Sequence, residues 1–279
     1  MKALQDKAFN KAISTREGDW IIKGFIDVYK RIYTISVDTK IVSKVLELLL
    51  FPEFVKFSER HNLKLELSPQ QNFYPDLTFT SLVMGSKFAL DIKSTYRIDE
   101  TKASGMTLGA FTGYFRNRNS NKNVLYPYNQ YEGHFVLGVI YSRKEFIDEL
   151  KQYSLEELEK IPSVINNFTF FAQPKYRIAS DSPGSGNTKN IGSVINIKDL
   201  INGSGPFAQL GEEVYDDYWM YYLTKDMASV MNLPRPYTNL KTYLAYKSRG
   251  IDTLKAHEKE IKSLAEADVI QPEIEGSEE

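Results

Sequence analysis

Two aspartates and a lysine occur in an order that suits metal-assisted chemistry. Asp76 follows a proline, fourteen residues separate it from Asp91, and Lys93 lies two positions further on. Asp91 and Lys93 belong to the segment FALDIK, which reads as a strand, and successive side chains of a strand point to opposite faces. Asp91 and Lys93 therefore share one face, while Leu90 and Ile92 are predicted to pack into the core on the other.

A tight turn at residues 84–86 separates this strand from the preceding strand LTFTSLV, which predicts a hairpin that returns Asp76 toward Asp91 and Lys93. Two carboxylates and an ammonium make an oxygen-rich site suited to Mg²⁺, which needs only one or two protein carboxylates. This is the chemistry of phosphodiester hydrolysis, in which the ion offsets charge on the phosphate and Lys93 orients water or contacts phosphate oxygens. The alternative is a strand whose charged residues only face solvent.

A glycine-rich loop within residues 181–190 has the parts needed to read base edges. Glycine removes side-chain bulk and tolerates positive φ, so the backbone can approach a groove closely. Asn can form two hydrogen bonds with adenine, and Thr offers a hydroxyl and a methyl group to thymine. The alternative is a surface turn, and a phosphate-binding loop is disfavoured because no Gly-Lys-Ser/Thr follows. The predicted DNA-reading residues are Gly184, Ser185, Gly186, Asn187 and Thr188.

Other polar residues flank the two aspartates. Gln71 and Asn72 lie on a polar loop shortly before the first aspartate, although both residue types are also common in turns. Ser94 and Thr95 directly follow the lysine. Together with Thr112 they are predicted to contact phosphates, which sets the register of a protein on DNA without reading its sequence.

Strands and helices are mixed along the chain, as in α/β folds. The sequence predicts two short strands within 20–37, a helix capped by Asp38, and a second helical stretch that restarts at Pro52. It also predicts a buried strand HFVLGVIY, a charged helix over 144–160, a strand pair FTFFAQ and KYRIAS, and a mainly helical remainder with a core aromatic cluster. We therefore expect an α/β fold with a central mixed β-sheet flanked by helices, in one domain over residues 1–256.

The net charge of −1 hides an uneven distribution. Residues 257–279 carry eight acidic and two basic side chains, so this acidic C-terminal tail has a charge of −6 and residues 1–256 have +5. A modest positive excess suits a protein that binds DNA through a local groove. The three histidines, His61, His134 and His257, are too scattered to suggest a zinc cluster.

The chain contains no Cys, which excludes a disulfide framework and a thiolate nucleophile and favours a reducing cytoplasm. No run approaches the roughly 20 apolar residues that span a bilayer, so no membrane partner is expected.

Six ordered blocks resemble the PD-(D/E)XK nuclease superfamily and, within it, the EcoRV-like type II restriction endonucleases. The blocks are DTK at 38–40, QQN-x-YPD-x-T at 70–78, DIK-x-TY at 91–96, TLG at 107–109, YP-x-x-QY at 126–131 and GSGNT-x-NIGS at 184–193. Departures at Phe73, Ser182 and Pro183 affect the approach to the two polar loops rather than the acidic residues.

The resemblance implies a Mg²⁺-dependent enzyme that hydrolyses double-stranded DNA at a palindromic site. Asp76 and Asp91 would be metal ligands and Lys93 the catalytic lysine. Glu47 would be a further acidic residue near the metal, although by position alone it is a helix-surface charge. The glutamine-asparagine loop would enter the minor groove, and the glycine-rich loop would enter the major groove.

The same resemblance implies the target GATATC, cut at its centre to leave blunt ends, and a separate DNA methyltransferase as a functional partner. A homodimer matches a palindromic duplex, and residues near 20–37 and 144–160 are predicted to form its small dimerisation subdomain. Two alternatives stay open: a repair or junction-resolving nuclease with the same acidic residues, and a DNA-binding protein without activity. The cleavage products distinguish the first, and a metal-dependent cleavage assay the second.

Overall fold

The computed structural model of the chain describes residues 7–70, 72–144, 151–184, 189–250 and 252–267. The strands are β1 (Gly24–Ile26), β2 (Ile32–Thr34), β3 (Leu63–Leu67), β4 (Leu77–Ser81), β5 (Lys87–Tyr96), β6 (Thr107–Ala110), β7 (Tyr131–Arg143), β8 (Gln152–Tyr153), β9 (Ile165–Pro174), β10 (Ala179–Pro183) and β11 (Asn190–Ser193). The helices are α1 (Lys7–Ile13), α2 (Thr39–Arg60), α3 (Lys175–Ile178), α4 (Ile197–Asn202), α5 (Glu212–Met220), α6 (Lys225–Val230), α7 (Leu240–Lys247) and α8 (Glu258–Ala267). Among these described helices, none is long and apolar enough to cross a membrane.

A mixed sheet of five strands forms the centre of the described part of the chain, in the order β3-β4-β5-β7-β9. β5 and β7 pair in parallel, and the other neighbouring strands pair antiparallel. Helices flank this sheet, so the predicted α/β architecture is confirmed. β7 contains the predicted buried strand HFVLGVIY, and β4 and β5 form the predicted hairpin.

Helix α2 begins where the sequence predicts, because the Asp38 side chain accepts a hydrogen bond of 2.8 Å from the backbone N–H of Lys40. The prediction of a second helix that restarts at Pro52 is wrong, since α2 runs through this proline without a break. Proline removes a backbone donor from the helix. Leu50 and Phe54 are fully buried on either side of it, so apolar contacts with the sheet keep the helix continuous.

The predicted helix over 144–160 is also wrong over residues 151–160. Residues 145–150 lie outside the described residues, and the remainder forms β8 and a 3-10 helix, Leu155–Lys160. β8 pairs with β2, so it completes a small sheet, β1-β2-β8, with the predicted strands of region 20–37. Tyr153 packs with Ile32 and Ile161 in a small core of its own, and this tertiary contact outweighs the helical pattern of the sequence.

The predicted strand KYRIAS is a strand only at its end. Its first four residues form α3, and β10 begins at Ala179. Lys175 and Ile178 are both buried, which is the spacing of one helical face. β10, β11 and β6 form a second small sheet in the described residues.

Each face of the central sheet has its own hydrophobic core. α1 and α2 cover one face, where the ring of Phe9 in α1 packs against Phe54 of α2 and against Phe170 of β9. The aromatic-rich C-terminal region, which comprises helices α4 to α8, covers the other face. Tyr218 and Trp219 are fully buried there, as predicted for the aromatic cluster.

The segment expected to form an acidic tail begins with a packed helix. Ile261 of α8 is fully buried, and its carbonyl accepts a hydrogen bond of 3.2 Å from the guanidinium of the buried Arg116. The first part of the predicted tail therefore belongs to the hydrophobic core. Residues 268–279 lie outside the described residues.

Candidate active site

The register of the hairpin places the two aspartates side by side. Leu77 of β4 pairs with Leu90 of β5, so Asp76 and Asp91 are the next neighbours beyond this pair. The backbone N–H of Ile92 donates to Asp76 Oδ2 at 2.7 Å, and the N–H of Asp76 donates to Asp91 Oδ1 at 3.4 Å. Both carboxylates are thus tied to the backbone of the hairpin.

Lys93 joins the two aspartates in a cluster that we call the acidic site (Asp76, Asp91 and Lys93). Its Nζ lies 3.8 Å from Asp76 Oδ2 and 3.8 Å from Asp91 Oδ2. The side chain of Asp91 is only 5% exposed, whereas those of Lys93 and Asp76 are 26% and 32% exposed. One side of the acidic site is therefore buried and the other is open to solvent.

The electrostatics of the acidic site favour a bound cation. Burial raises the pKa of Asp76 to about 6, the Asp91 carboxylate adds to this rise, and the Lys93 ammonium opposes it. Burial lowers the pKa of Lys93, but Asp91 and Asp76 outweigh that effect, so its pKa lies above its ordinary value. Two neighbouring carboxylates repel one another when both are ionised, and a cation between them would relieve that repulsion.

Glu47, on α2, faces the same space as the acidic site. It accepts a hydrogen bond of 2.8 Å from Lys44 Nζ, and its negative charge contributes to the raised pKa of Asp76. In the parts of the chain that the structure describes, no group of three histidine or acidic side chains forms a ready metal site. Mg²⁺ does not need one, because water and phosphate oxygens complete its coordination. The two aspartates with Glu47 nearby therefore fit this ion.

A second lysine that the sequence analysis missed reaches the acidic site. Lys175, the first residue of α3, is almost completely buried, and its Nζ lies 3.6 Å from Asp91 Oδ2. Burial lowers the pKa of Lys175 below its ordinary value, and the Asp91 carboxylate offsets only part of this effect. No local pattern marks this residue, because its partner lies far away along the chain.

A positively charged cleft of about 920 Å³ opens beside Lys93. Its described lining contains four basic side chains and one acidic side chain, a balance that suits phosphate groups. The basic residues are Lys40, Lys44, Lys93 and Arg143, and the acidic residue is Glu47.

The predicted phosphate contacts divide into two groups. Ser94 and Thr95 line the cleft, where Ser94 Oγ lies 2.6 Å from Ser43 Oγ and the Thr95 hydroxyl donates to the carbonyl of Ser104 at 2.7 Å. Thr112 is buried before the 3-10 helix Gly113–Phe115 and does not belong to the described lining of this cleft.

The described part of the DNA-reading loop approaches its neighbours closely. Gly184 lines the cleft, and its N–H donates to the carbonyl of Asn190 at 2.9 Å. A Cβ atom at Gly184 would lie 2.9 Å from the Thr107 methyl group, so a larger residue would push these strands apart. Asn72 is exposed on the loop before β4. The remaining predicted DNA contacts, Gln71, Ser185, Gly186, Asn187 and Thr188, lie outside the described residues.

A mixed sheet flanked by helices, with two aspartates and a lysine at a positive cleft, is the architecture of restriction-endonuclease-like enzymes. A model of the family Restriction endonuclease EcoRV matches residues 16–248. The chain is also 36% identical over 230 residues to the type II restriction enzyme EcoRV of Escherichia coli, which covers 81% of this chain and 91% of that enzyme. The chain therefore belongs to the EcoRV family of type II restriction endonucleases. This confirms the resemblance, and α8 lies beyond the residues that match the family.

Proposed function

We propose that the chain cleaves double-stranded DNA with Mg²⁺ at the acidic site. The observation that carries the proposal is the convergence of Asp76, Asp91 and Lys93 within 3.8 Å beside a positive cleft. In this proposal Asp76 and Asp91 hold the ion, and Glu47 is an additional acidic ligand. When bound, Mg²⁺ supplies positive charge opposite the charge that develops on the phosphate.

The residues of the chain have separate tasks in this reaction. The backbone bonds from Ile92 and Asp76 fix the two carboxylates, so that the position of the ion is reproducible. Lys93 stays charged at neutral pH because its pKa is raised, and it can donate hydrogen bonds to phosphate oxygens or orient the attacking water. Ser94 contacts the DNA backbone and helps to set the register, whereas the buried Thr95 hydroxyl is already bonded to the carbonyl of Ser104 and supports the cleft from inside.

The proposed target is GATATC, cut at its centre to leave blunt ends. In this proposal Asn187 pairs with an adenine, Thr188 contacts a thymine methyl group, and the backbone near Gly184 and Gly186 reaches the outer G·C pair. The loop that contains Gln71 and Asn72 enters the minor groove. The central TA step unstacks easily, so it can be selected through the energy of deforming the DNA rather than through direct contacts.

Mapping the ends of cleavage fragments tests both the reaction and the target. Linear DNA of known sequence is incubated with the protein and Mg²⁺, and the fragment ends are sequenced. We expect blunt ends at the centre of GATATC and no cleavage in EDTA. A matched duplex in which only the central TA step is inverted to AT should resist cleavage. Ends at another sequence would reject the proposed target, and cleavage confined to branched DNA would favour a junction-resolving activity.

We further propose that the chain acts as a homodimer through the small sheet β1-β2-β8. Val28 and Tyr29, in the turn between β1 and β2, are 90% and 75% exposed, and Phe25 and Ile26 are more than half exposed. A cluster of exposed apolar side chains is typical of an interaction surface. A second copy is the expected partner, because a two-fold dimer presents one acidic site to each strand of a palindrome.

Equilibrium sedimentation of two charge variants tests this surface. Val28→Asp places a charge within the proposed contact and should yield a monomer that no longer cuts both strands together. Val230→Asp, at a position that is 77% exposed at the end of α6, is the matched control and should remain dimeric. If Val28→Asp is as dimeric as the control, the proposed surface is wrong.

A further inference from the structure

Lys175 reaches Asp91 from an element that lies outside the β4–β5 hairpin. It directly follows β9, and its Nζ is 3.6 Å from Asp91 Oδ2. Lys93 approaches the same oxygen at 3.8 Å. The carboxylate of Asp91 is therefore held between two ammonium groups. One comes from its own strand, and the other comes from the residue that follows the edge strand β9.

A buried hydrogen-bond network holds Lys175 in place. Its Nζ donates to the Tyr74 hydroxyl at 3.1 Å, and this hydroxyl lies 2.7 Å from His134 Nδ1. An ammonium can only donate, so the Tyr74 oxygen accepts from Lys175 and its own proton points to His134. None of the three side chains is more than 6% exposed, which excludes a direct contact between Lys175 and DNA approaching from solvent.

The space around the Lys175 ammonium is narrow. It lies 4.2 Å from the centre of the Tyr74 ring, which stacks on the ring of Tyr114 with 4.7 Å between centroids. A Cβ atom at Gly109 would lie 3.7 Å from Lys175 Nζ and 2.9 Å from the Tyr114 hydroxyl. Packed aromatic rings and a glycine backbone therefore determine where this charge is placed.

We propose that Lys175 is a positioning residue, which holds the Asp91 carboxylate in the orientation used to bind the metal ion. The inference rests on the proposed role of Asp91 as a metal ligand. A buried ammonium without a partner is strongly destabilising, and Asp91 is the carboxylate that compensates it here. Contacts of this outer kind orient metal-binding carboxylates, and their loss typically lowers metal affinity or activity by about 10- to 100-fold.

A double-mutant cycle without metal tests whether Lys175 and Asp91 act as a pair. Unfolding by urea is measured in EDTA for Lys175→Met, Asp91→Asn and the double variant. Asp91→Asn leaves the buried Lys175 ammonium without its carboxylate, and Lys175→Met leaves Asp91 with Lys93 as its remaining ammonium partner. The double variant should therefore be more stable than the sum of the two effects predicts. We expect a coupling of about tenfold in the unfolding equilibrium constant. Additive effects would overturn the inference.

Single-turnover cleavage at saturating Mg²⁺ tests whether this pairing matters for the reaction. Lys175→Met should cut about 10- to 100-fold more slowly than the wild type, with unchanged affinity for DNA in EDTA. Tyr131→Phe is the matched control, because it removes a buried hydrogen bond to Thr78 (2.9 Å) without touching Asp91, and its rate should stay within about twofold of the wild type.

The same assay separates failure of this inference from failure of the proposed function. If Asp91→Asn is inactive but Lys175→Met cuts within twofold of the wild-type rate, Lys175 is only a structural counter-ion. If Asp91→Asn itself cuts at the wild-type rate, the metal-binding role of Asp91 is wrong, and the role of Lys175 falls with it.

Discussion

The β4–β5 hairpin and the C-terminal region use burial in opposite ways. The hairpin holds ionisable groups close together, and burial raises the pKa of Asp76 because the charged carboxylate is disfavoured there. The C-terminal region buries aromatic rings and pairs some of their hydroxyls with backbone carbonyls: Tyr218 donates to the carbonyl of Asp181 and Tyr237 to that of Tyr218, both at 2.7 Å. The hairpin keeps two carboxylates close together at the expense of stability, whereas the C-terminal region gains stability from packed aromatic rings.

This difference leads us to expect that activity and stability can be changed separately. Substitutions of the partly exposed hairpin residues Asp76 and Lys93 should reduce cleavage much more than they reduce stability. Substitutions in the C-terminal core should do the reverse. A variant of either kind that changed both properties in parallel would contradict the division.

Among the variants that compare the two regions, the largest effect is expected for Lys93→Met in the hairpin. Loss of the ammonium should lower the cleavage rate by about 10³-fold, because a charged donor opposite the phosphate is removed. The unfolding free energy should change much less than the cleavage rate, because Asp91 keeps Lys175 as a partner and Asp76 is partly exposed to solvent.

Lys87→Met, at the first residue of the same strand, is the matched control for this variant. It should cut normally, because Lys87 packs over the ring of Tyr126 rather than beside the aspartates. Single-turnover kinetics and urea unfolding of both variants check the prediction. Normal cutting by Lys93→Met would show that this lysine takes no part in cleavage.

A large effect on stability is expected for Ile261→Ala in α8. The side chain is fully buried, so its truncation should lower the unfolding free energy by about 3 kcal/mol. The exposed Lys259 on the same helix gives the control Lys259→Ala, which should change stability by less than about 0.5 kcal/mol. At low temperature the folded Ile261→Ala enzyme should cut at the wild-type rate. Slow cutting without loss of stability would show that α8 acts on the cleft.

The contacts within the hairpin could be predicted from the sequence, whereas the contact between Lys175 and Asp91 could not. The hairpin is local: a tight turn, strand alternation and the spacing of Asp76, Asp91 and Lys93 are sufficient to predict that these side chains converge. Lys175 contacts Asp91 only because β9 returns beside β7 and α3 turns inward at its end. Such a contact depends on the topology of the whole sheet, and no neighbouring residue indicates it.

The wrong predictions have the same physical origin. Pro52 reads as a helix break, but burial on both sides of it keeps α2 intact. Residues 257–279 read as a charged tail, but the buried Ile261 and its bond with Arg116 attach the described first part to the core. In both places long-range apolar contacts outweigh the local pattern.

The smallest effect is expected from Asp76→Asn on the stability of the metal-free protein. The pKa of about 6 in the folded protein exceeds the ordinary value of 3.8, so the folded state binds the proton more tightly than the unfolded chain. The stability from the protonated carboxyl is present below pH 3.8 and is lost as the pH rises through 6. Above pH 7 the variant should therefore be more stable than the wild type by about 1 kcal/mol. This value includes the reduction that solvent screening causes for a partly exposed group.

Urea unfolding in EDTA at pH 3.5 and pH 7.5 measures this difference. Most of the gain in stability should disappear at the lower pH, where the wild-type carboxyl is largely protonated in both states. A gain of equal size at both pH values would show that the charge of Asp76 is not its cause.

Single-turnover cleavage by Asp91→Asn tests most directly whether the hairpin carries the reaction. The substrate is a short duplex that contains the mapped cleavage site, the enzyme is in excess, and Mg²⁺ is saturating, so the rate reports chemistry rather than binding. The rate should fall by about 10³-fold or more, while the affinity for the duplex in EDTA stays within about threefold of the wild type. A cleavage rate within tenfold of the wild type would contradict the assignment of the acidic site.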